Sequence, residues 1–175
     1  MSIKHCHVAY LGLGSNLGDR EENIRRAITL IAEQVGDVVR QSALYYSEPW
    51  GFQSDNAFVN AVICIHTKLA PHRLLRATQR IERLLGKDHR HATERTPVSP
   101  ATPSSPSSPS SPSTPSSPSS PSSPSAPTTP IYHDRPIDID ILLYDDLVLQ
   151  TPTLTIPHPM MQQRPFVMEP LREIR

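Results

Sequence analysis

The chain has 175 residues, and Lys plus Arg balance Asp plus Glu at 17 each, so no net charge biases it toward nucleic acid or an acidic membrane surface. Two cysteines, Cys6 and Cys64, are too few and too far apart for a disulfide framework or a zinc site. The N-terminus lacks the apolar run of a signal peptide and no stretch nears the roughly 20 apolar residues that span a bilayer, so a reduced, cytoplasmic compartment is expected.

Val8 to Leu13 is a short apolar run among glycines, the pattern of a buried strand. Asp19 then offers an N-cap with Glu22 three residues on, and Ile24, Ala27, Ile28, Ile31 and Val35 follow at helical spacing until Gly36 closes the segment. Val38 to Tyr46 and Phe58 to His66 read as strands, parted by a loop containing Pro49, Trp50 and Gly51. Pro71 suits the first turn of a second helix, whose stripe is Leu74, Ala77, Thr78, Ile81 and Leu85, ending at Gly86. A fourth strand is predicted over Ile137 to Tyr144, with a short run from Leu147 to Leu149. The C-terminal segment, with prolines at 157, 159, 165 and 170, cannot be one continuous helix. This order is the split βαβ, ferredoxin-like α+β pattern, an antiparallel sheet with helices on one face.

One domain is expected over residues 1–175, interrupted at 97–130. There a proline recurs at every third position from Pro97 to Pro130. Such a repeat sets its prolines along one edge of a polyproline II helix, about 105 Å long if fully extended at ~3.1 Å per residue. Its ends must nevertheless return to one domain. Lengthening a surface loop adds only about 0.6 kcal/mol per doubling, so a tolerated expansion is the favoured reading over a ligand for proline-reading modules.

The strongest chemical signal is Asp134-Arg135-Pro136-Ile137-Asp138-Ile139-Asp140-Ile141. On a strand, Asp138 and Asp140 share a face while the isoleucines take the other. Two adjacent carboxylates repel and invite a hard cation such as Mg²⁺, which completes its shell with water and substrate phosphates. Other features are weaker. Gly12 to Gly18 lacks the third glycine of a dinucleotide fingerprint and the Lys-Ser/Thr of a Walker loop. Gln79 and Glu82 are neighbours on one flank of the second helix. Arg73, Arg76, Arg80, Arg83 and Lys87 form a basic stripe that reads as a solvated face. His158, between two prolines, is held still enough for a phosphate contact.

Six pieces occur in order: Gly14-Ser15-Asn16-Leu17-Gly18, Glu48-Pro49-Trp50-Gly51, Phe58-Val59-Asn60, Thr78-Gln79-Arg80-Ile81-Glu82, the Asp-x-Asp strand, and Ile156-Pro157-His158 with Arg164-Pro165-Phe166. Together they resemble the 6-hydroxymethyl-7,8-dihydropterin pyrophosphokinase family of folate biosynthesis. The resemblance implies the same βαββαβ core and transfer of pyrophosphate from ATP to the pterin's hydroxymethyl group, releasing AMP. It implies two Mg²⁺ ions on Asp138 and Asp140, with Arg135, His158 and Arg164 on phosphate oxygens. Arg135 and Arg164 join the two aspartates as the expected catalytic set. Gln79 and Glu82 would meet the nucleotide, Glu82 at the ribose. Asn60 would pair with the pterin edge, Phe58 and Phe166 would sandwich its rings, and backbone groups of Ser47, Glu48 and Trp50 would complete the pocket.

Relatives carry an arginine-rich stretch and a tryptophan in the mobile loop before the Asp-x-Asp strand. Here that loop offers Lys87, His89, Arg90 and Tyr132 around the Ser/Pro insertion, and His89, Arg90 and Tyr132 are the expected ATP contacts. A monomer with no nucleic-acid or membrane partner is expected. The rival readings are a scaffold that displays a proline-rich ligand with catalysis lost, and an RNA-binding ferredoxin-like module. The first has against it the retained Asp138, Asp140, Asn60, His158 and Arg164; the second lacks an aromatic platform.

Overall fold

A computed structural model describes residues 6–50, 54–93 and 134–175, with side chains described in α2 only as far as Gly86. The expectations placed on the side chains of Lys87, His89 and Arg90, on Gly51 and Tyr132, and on the 97–130 tract lie outside the described residues. The elements run β1 (His7–Ser15), α1 (Arg20–Gln34), β2 (Gly36–Gln41), β3 (Tyr45–Ser47), β4 (Phe58–Thr67), α2 (Pro71–Thr93), β5 (Asp138–Tyr144), β6 (Leu149–Gln150), β7 (Thr155–Ile156), a 3₁₀ turn (Met161–Gln163) and α3 (Pro165–Ile174). The main sheet is antiparallel in the order β2-β4-β1-β5, with β3 continuing beside β4.

Alternation along the strands sends two sets of side chains to opposite faces. Ala9, Leu11 and Leu13 of β1, Val59, Ala61, Ile63 and Ile65 of β4, and Ile139 and Ile141 of β5 meet Ile24, Ala27 and Ile31 of α1 and Leu74, Ile81 and Leu85 of α2. Each of these large apolar side chains contributes roughly 1.5–3 kcal/mol by leaving water. This is the expected helix-covered face. On the other face Val62, Cys64 and Leu142 pack against Met161, Val167, Leu171 and Ile174. The proline-interrupted C-terminal segment thus folds as a 3₁₀ turn and a short α3, which has Pro165 in its first turn and Pro170 within. It covers only part of that second face.

Two expected boundaries move, each for a physical reason. The strand predicted over Val38 to Tyr46 is broken at 42–44. Ser42 Oγ accepts from Val62 N at 3.0 Å, and Ala43 N turns away to the Glu173 carboxylate at 3.0 Å. α1 ends just before Gly36, as expected, with Val35 as its C-cap, but Gly36 is not left-handed; Gly18 is the one glycine among the described residues with positive φ (69°). Instead Gly36 opens β2, where a Cβ would lie 2.3 Å from His66 O. α2 does not stop at Gly86 but continues to Thr93; a helical glycine costs only about 1 kcal/mol, and the residues after it are compatible with a helix. The N-cap is as expected: Asp19 Oδ1 accepts from Glu22 N at 3.1 Å. Arg73, Arg76, Arg80 and Arg83 are exposed, as a solvated face requires.

Candidate active site

Where α3 leaves the sheet uncovered, one register row runs across three strands. Asp138 of β5 pairs with Gly14 of β1, and Gly14 pairs with Asn60 of β4. The next row is Asp140, Gly12 and Val62. With strands 4.7–4.9 Å apart, Asp138 and Asn60 stand about 10 Å from each other across a glycine floor. A Cβ on Gly14 would meet Asn60 Oδ1 at 3.2 Å and the Phe58 ring at 3.7 Å, so glycine keeps the floor open. Sequence reasoning weighed these glycines as a phosphate loop; their i, i+2 spacing in a strand was the available sign of a stripped sheet face.

The resulting cleft holds about 680 Å³, counting its solvent-open mouth. Ser47, Glu48 and Trp50 come to it from β3 and the segment after it, and Phe58 and Asn60 from β4. Arg135, Asp138 and Asp140 line the β5 side, and Arg164 and Phe166 come from the start of α3. Thus the structure gathers the residues expected at the pterin, with Asp138, Asp140, Arg135 and Arg164 from the phosphate side, into a single cavity, while His158 stands outside its lining, beside Asp140.

Each aspartate has a cationic neighbour. Arg135 Nη1 donates to Asp138 Oδ1 at 3.0 Å. Asp140 Oδ2 has Arg164 Nη1 and His158 Nε2 each at 3.7 Å. Even so, burial and then the Asp138 charge push Asp140 up to about 7, against the pull of Arg164 and Arg135. A cation held between the two carboxylates would offset that cost. The set of two hard-oxygen donors on one face fits Mg²⁺ held jointly with phosphates; among the described residues no three His, Cys, Asp or Glu side chains cluster as an all-protein cage.

His158 follows a cis Ile156–Pro157 bond. Its N donates to Leu142 O at 3.0 Å, and its Nδ1 accepts from Met160 N at 3.3 Å, leaving Nε2–H toward Asp140. Burial, then the Arg164 charge, lowers its pKa, so the ring is neutral at pH 7. Arg164 is 8% exposed and its guanidinium lies 4.9 Å above the Trp50 ring. Asn60 Nδ2 donates to Ser47 Oγ at 2.8 Å, which fixes the amide and turns Oδ1 over the floor.

Glu82, expected at the ribose, makes a contact within the protein itself. Its carboxylate reaches from α2 to accept from Ile139 N at 2.7 Å, bracing the strand between the two aspartates. Burial raises Glu82 to about 7, the Ile139 bond lowers it, and Asp138 and Asp140 raise it further. Gln79 is exposed and outside the cleft lining.

The sequence reading passed over a junction beside the cleft. Asn16, 1% exposed, donates through Nδ2 to Asp134 Oδ1 at 2.7 Å and accepts from Arg135 N at 2.9 Å. Asn16 and Asp134 both fall within or next to the motifs, but only the closed sheet sets them side by side.

A family model described as 7,8-dihydro-6-hydroxymethylpterin-pyrophosphokinase matches residues 10–97 and 126–175, so the unmatched interval lies inside the Ser/Pro tract. A 2-amino-4-hydroxy-6-hydroxymethyldihydropteridine pyrophosphokinase of Porphyromonas gingivalis is 36% identical over 168 residues, covering 95% of this chain and 90% of the relative. Similarly named proteins of Aquifex aeolicus (32% identity, 94% of this chain, 78% of the relative) and Bacillus subtilis (31%, 96%, 78%) also match. Among solved structures, a triple-mutant HPPK-DHPS of Plasmodium falciparum superposes with a TM-score of 0.58 at 14% identity. That likeness shows the fold. It covers 99% of this chain, which spans 41% of the solved one.

Proposed function

The chain belongs to the 7,8-dihydro-6-hydroxymethylpterin-pyrophosphokinase family, and we propose that it moves the terminal two phosphates of ATP, as one group, onto 6-hydroxymethyl-7,8-dihydropterin. In that reaction the hydroxymethyl oxygen bonds to the β-phosphorus, the bond from that phosphorus to the α–β bridging oxygen breaks, and AMP leaves; the hydroxyl proton is lost. The observation that carries this reading is the row Asp138–Gly14–Asn60: a carboxylate for the phosphate side and an amide for the pterin side, separated by a floor without side chains.

The chain's own residues supply positioning and charge, which such transfers need more than covalent help. Asn60 Oδ1, with its amide locked on Ser47, reads the pterin's donor edge; Phe58 and Phe166 hold the flat rings, and backbone groups of Ser47, Glu48 and Trp50 close the pocket. Arg135 and Arg164 present planar forks to phosphate oxygens, and the neutral His158 donates from Nε2. Asp138 and Asp140 would hold two Mg²⁺ ions, which when bound neutralise triphosphate charge. Gln79, Glu82, His89, Arg90 and Tyr132 are assigned to the nucleotide end; for Glu82 the bond to Ile139 makes bracing of the metal strand an equal part of its role.

The unit is a single domain across 1–175 interrupted at 97–130, a reading supported by a family match that resumes at residue 126, near the tract's end, and runs to 175. The protein is assigned as a monomer acting in the cytoplasm, and its balanced charge favours a partner set without nucleic acid. No described helix is long and apolar enough to cross a membrane. The deciding assay is AMP release from MgATP with and without the hydroxymethyl pterin. Pterin-dependent AMP is expected; ADP as product, or nucleotide turnover indifferent to the pterin, would sink the reading and favour the scaffold.

A further inference from the structure

Asp134 sits one residue before Arg135 and three to four residues from the strand that carries both site aspartates. Its two carboxylate oxygens are divided between two different segments. Oδ1 accepts from Asn16 Nδ2 at 2.7 Å, and Asn16 lies buried at the end of β1. Oδ2 accepts from Asn56 Nδ2 at 2.8 Å, and Asn56 is exposed, two residues before Phe58 and four before Asn60. Asn16 also holds Arg135 from both sides, its Oδ1 accepting from Arg135 N at 2.9 Å and its N donating to Arg135 O at 3.3 Å. Arg135 in turn meets Asp138 at 3.0 Å.

We propose that Asp134 is a positioning residue that ties the pterin-facing segment before β4 to the phosphate-facing segment before β5, so that the two halves of the cleft are set by one carboxylate. This deepens, and rests on, the pyrophosphokinase reading. The chemistry demands an acid here. Two side-chain NH₂ groups point at the residue from opposite sides, and only a carboxylate accepts from both. Charge makes each bond stronger than an amide–amide bond. The 54–57 segment has a second anchor, Arg20 Nη1 donating to Ala57 O at 2.7 Å, so losing the Asp134 arm shifts the segment without unfolding it.

The test is a swap. Asp134→Asn trades the charge-assisted bond for an amide–amide bond that forms once the exposed Asn56 amide turns its oxygen inward, and Asn56→Asp alone sets two carboxylates against each other. Together, Asp134→Asn with Asn56→Asp restores a donor–acceptor pair, while the introduced amide oxygen still accepts from Asn16. Asn56→Asp should raise KM for the hydroxymethyl pterin about tenfold and Asp134→Asn by a smaller factor, and the double should return to within about threefold of wild type, the coupling expected of directly bonded residues. Asn56→Ala, which cuts only the exposed arm, should raise the pterin KM and leave the MgATP KM unchanged. A brace with a merely structural role would lower the active fraction, reducing apparent kcat with both KM values intact, and that result overturns the proposal. So do single variants with wild-type pterin KM, or a double variant no better than the worse single. If wild-type protein itself releases no AMP, the functional reading fails instead.

Discussion

At the scale of single residues, Asp140 carries opposite consequences for turnover and for stability. Asp138→Asn or Asp140→Asn should cut kcat by about a hundredfold or more, in line with losing one group aimed at transition-state charge. Pterin affinity, set across the floor at Asn60, should stay within about threefold, as expected for a group that acts on the transition state rather than on ground-state binding. Steady-state kinetics beside a fluorescence titration would separate the two, and Trp50, the single tryptophan, reports from the cleft itself. Lost pterin affinity with normal turnover would contradict the assignment. The stability consequence follows from the raised Asp140 and Glu82, each near 7 in the folded protein and in the ordinary carboxylate range when unfolded. Between roughly pH 4 and pH 7 the folded state therefore binds more protons than the unfolded state, and stability falls as pH rises through that window. In chelator without nucleotide, Asp140→Asn should gain Tm relative to wild type at pH 8, and the gain should shrink toward pH 5. A difference that is flat with pH would show that Asp140 ionises normally.

Among elements, β1 matters most because it is the central strand between β4 and β5 and carries glycine where its neighbours carry the chemistry. A methyl at Gly14 would press on Asn60 Oδ1 and the Phe58 ring, so Gly14→Ala should raise the pterin KM about tenfold, the usual effect of one carbon in a shaped pocket, with nearly unchanged Tm. Unaltered KM would mean that the pterin does not rest on this floor. Gly36 has a different purpose. Its Cβ would collide with main chain at His66, and main chain cannot swing aside, so Gly36→Ala should cost roughly 2–3 kcal/mol in urea denaturation. Of these two glycines, the one at 36 looked like a helix stop and the one at 14 like a loop. Local pattern could not show that both face a neighbouring strand.

For the molecule as a whole, the Ser/Pro tract falls between α2 and the segment before β5, where the family model leaves its gap. Excising 97–130 shortens that connection by between two and three halvings, which in the flexible-chain limit stabilises the fold by roughly 1–2 kcal/mol. Turnover should rise if the tract slows closure of the connection over the substrates, and identical kinetics in both proteins would dismiss that idea. The second layer also belongs to this scale. α3 ties the broken β2–β3 edge through Glu173, bonded to Ala43 N and to Tyr45 OH at 3.0 Å, and so reaches the strand that presents Ser47.

The amino-acid sequence alone carried the order of elements, the helix-facing core and the pairing of Asp138 with Asp140, because a two-residue or 3.6-residue period is a local property of the chain. It also carried the family resemblance, through six short motifs. The tertiary structure decided what those periods cannot encode. Register across β5, β1 and β4 put Asp138, Gly14 and Asn60 in one row, and the return of α3 brought Arg164 over Trp50. Glu82 became a brace on Ile139, and Asp134 met two asparagines 118 and 78 positions away. Such contacts depend on how strands pair and layers stack, and no window of neighbouring residues contains them.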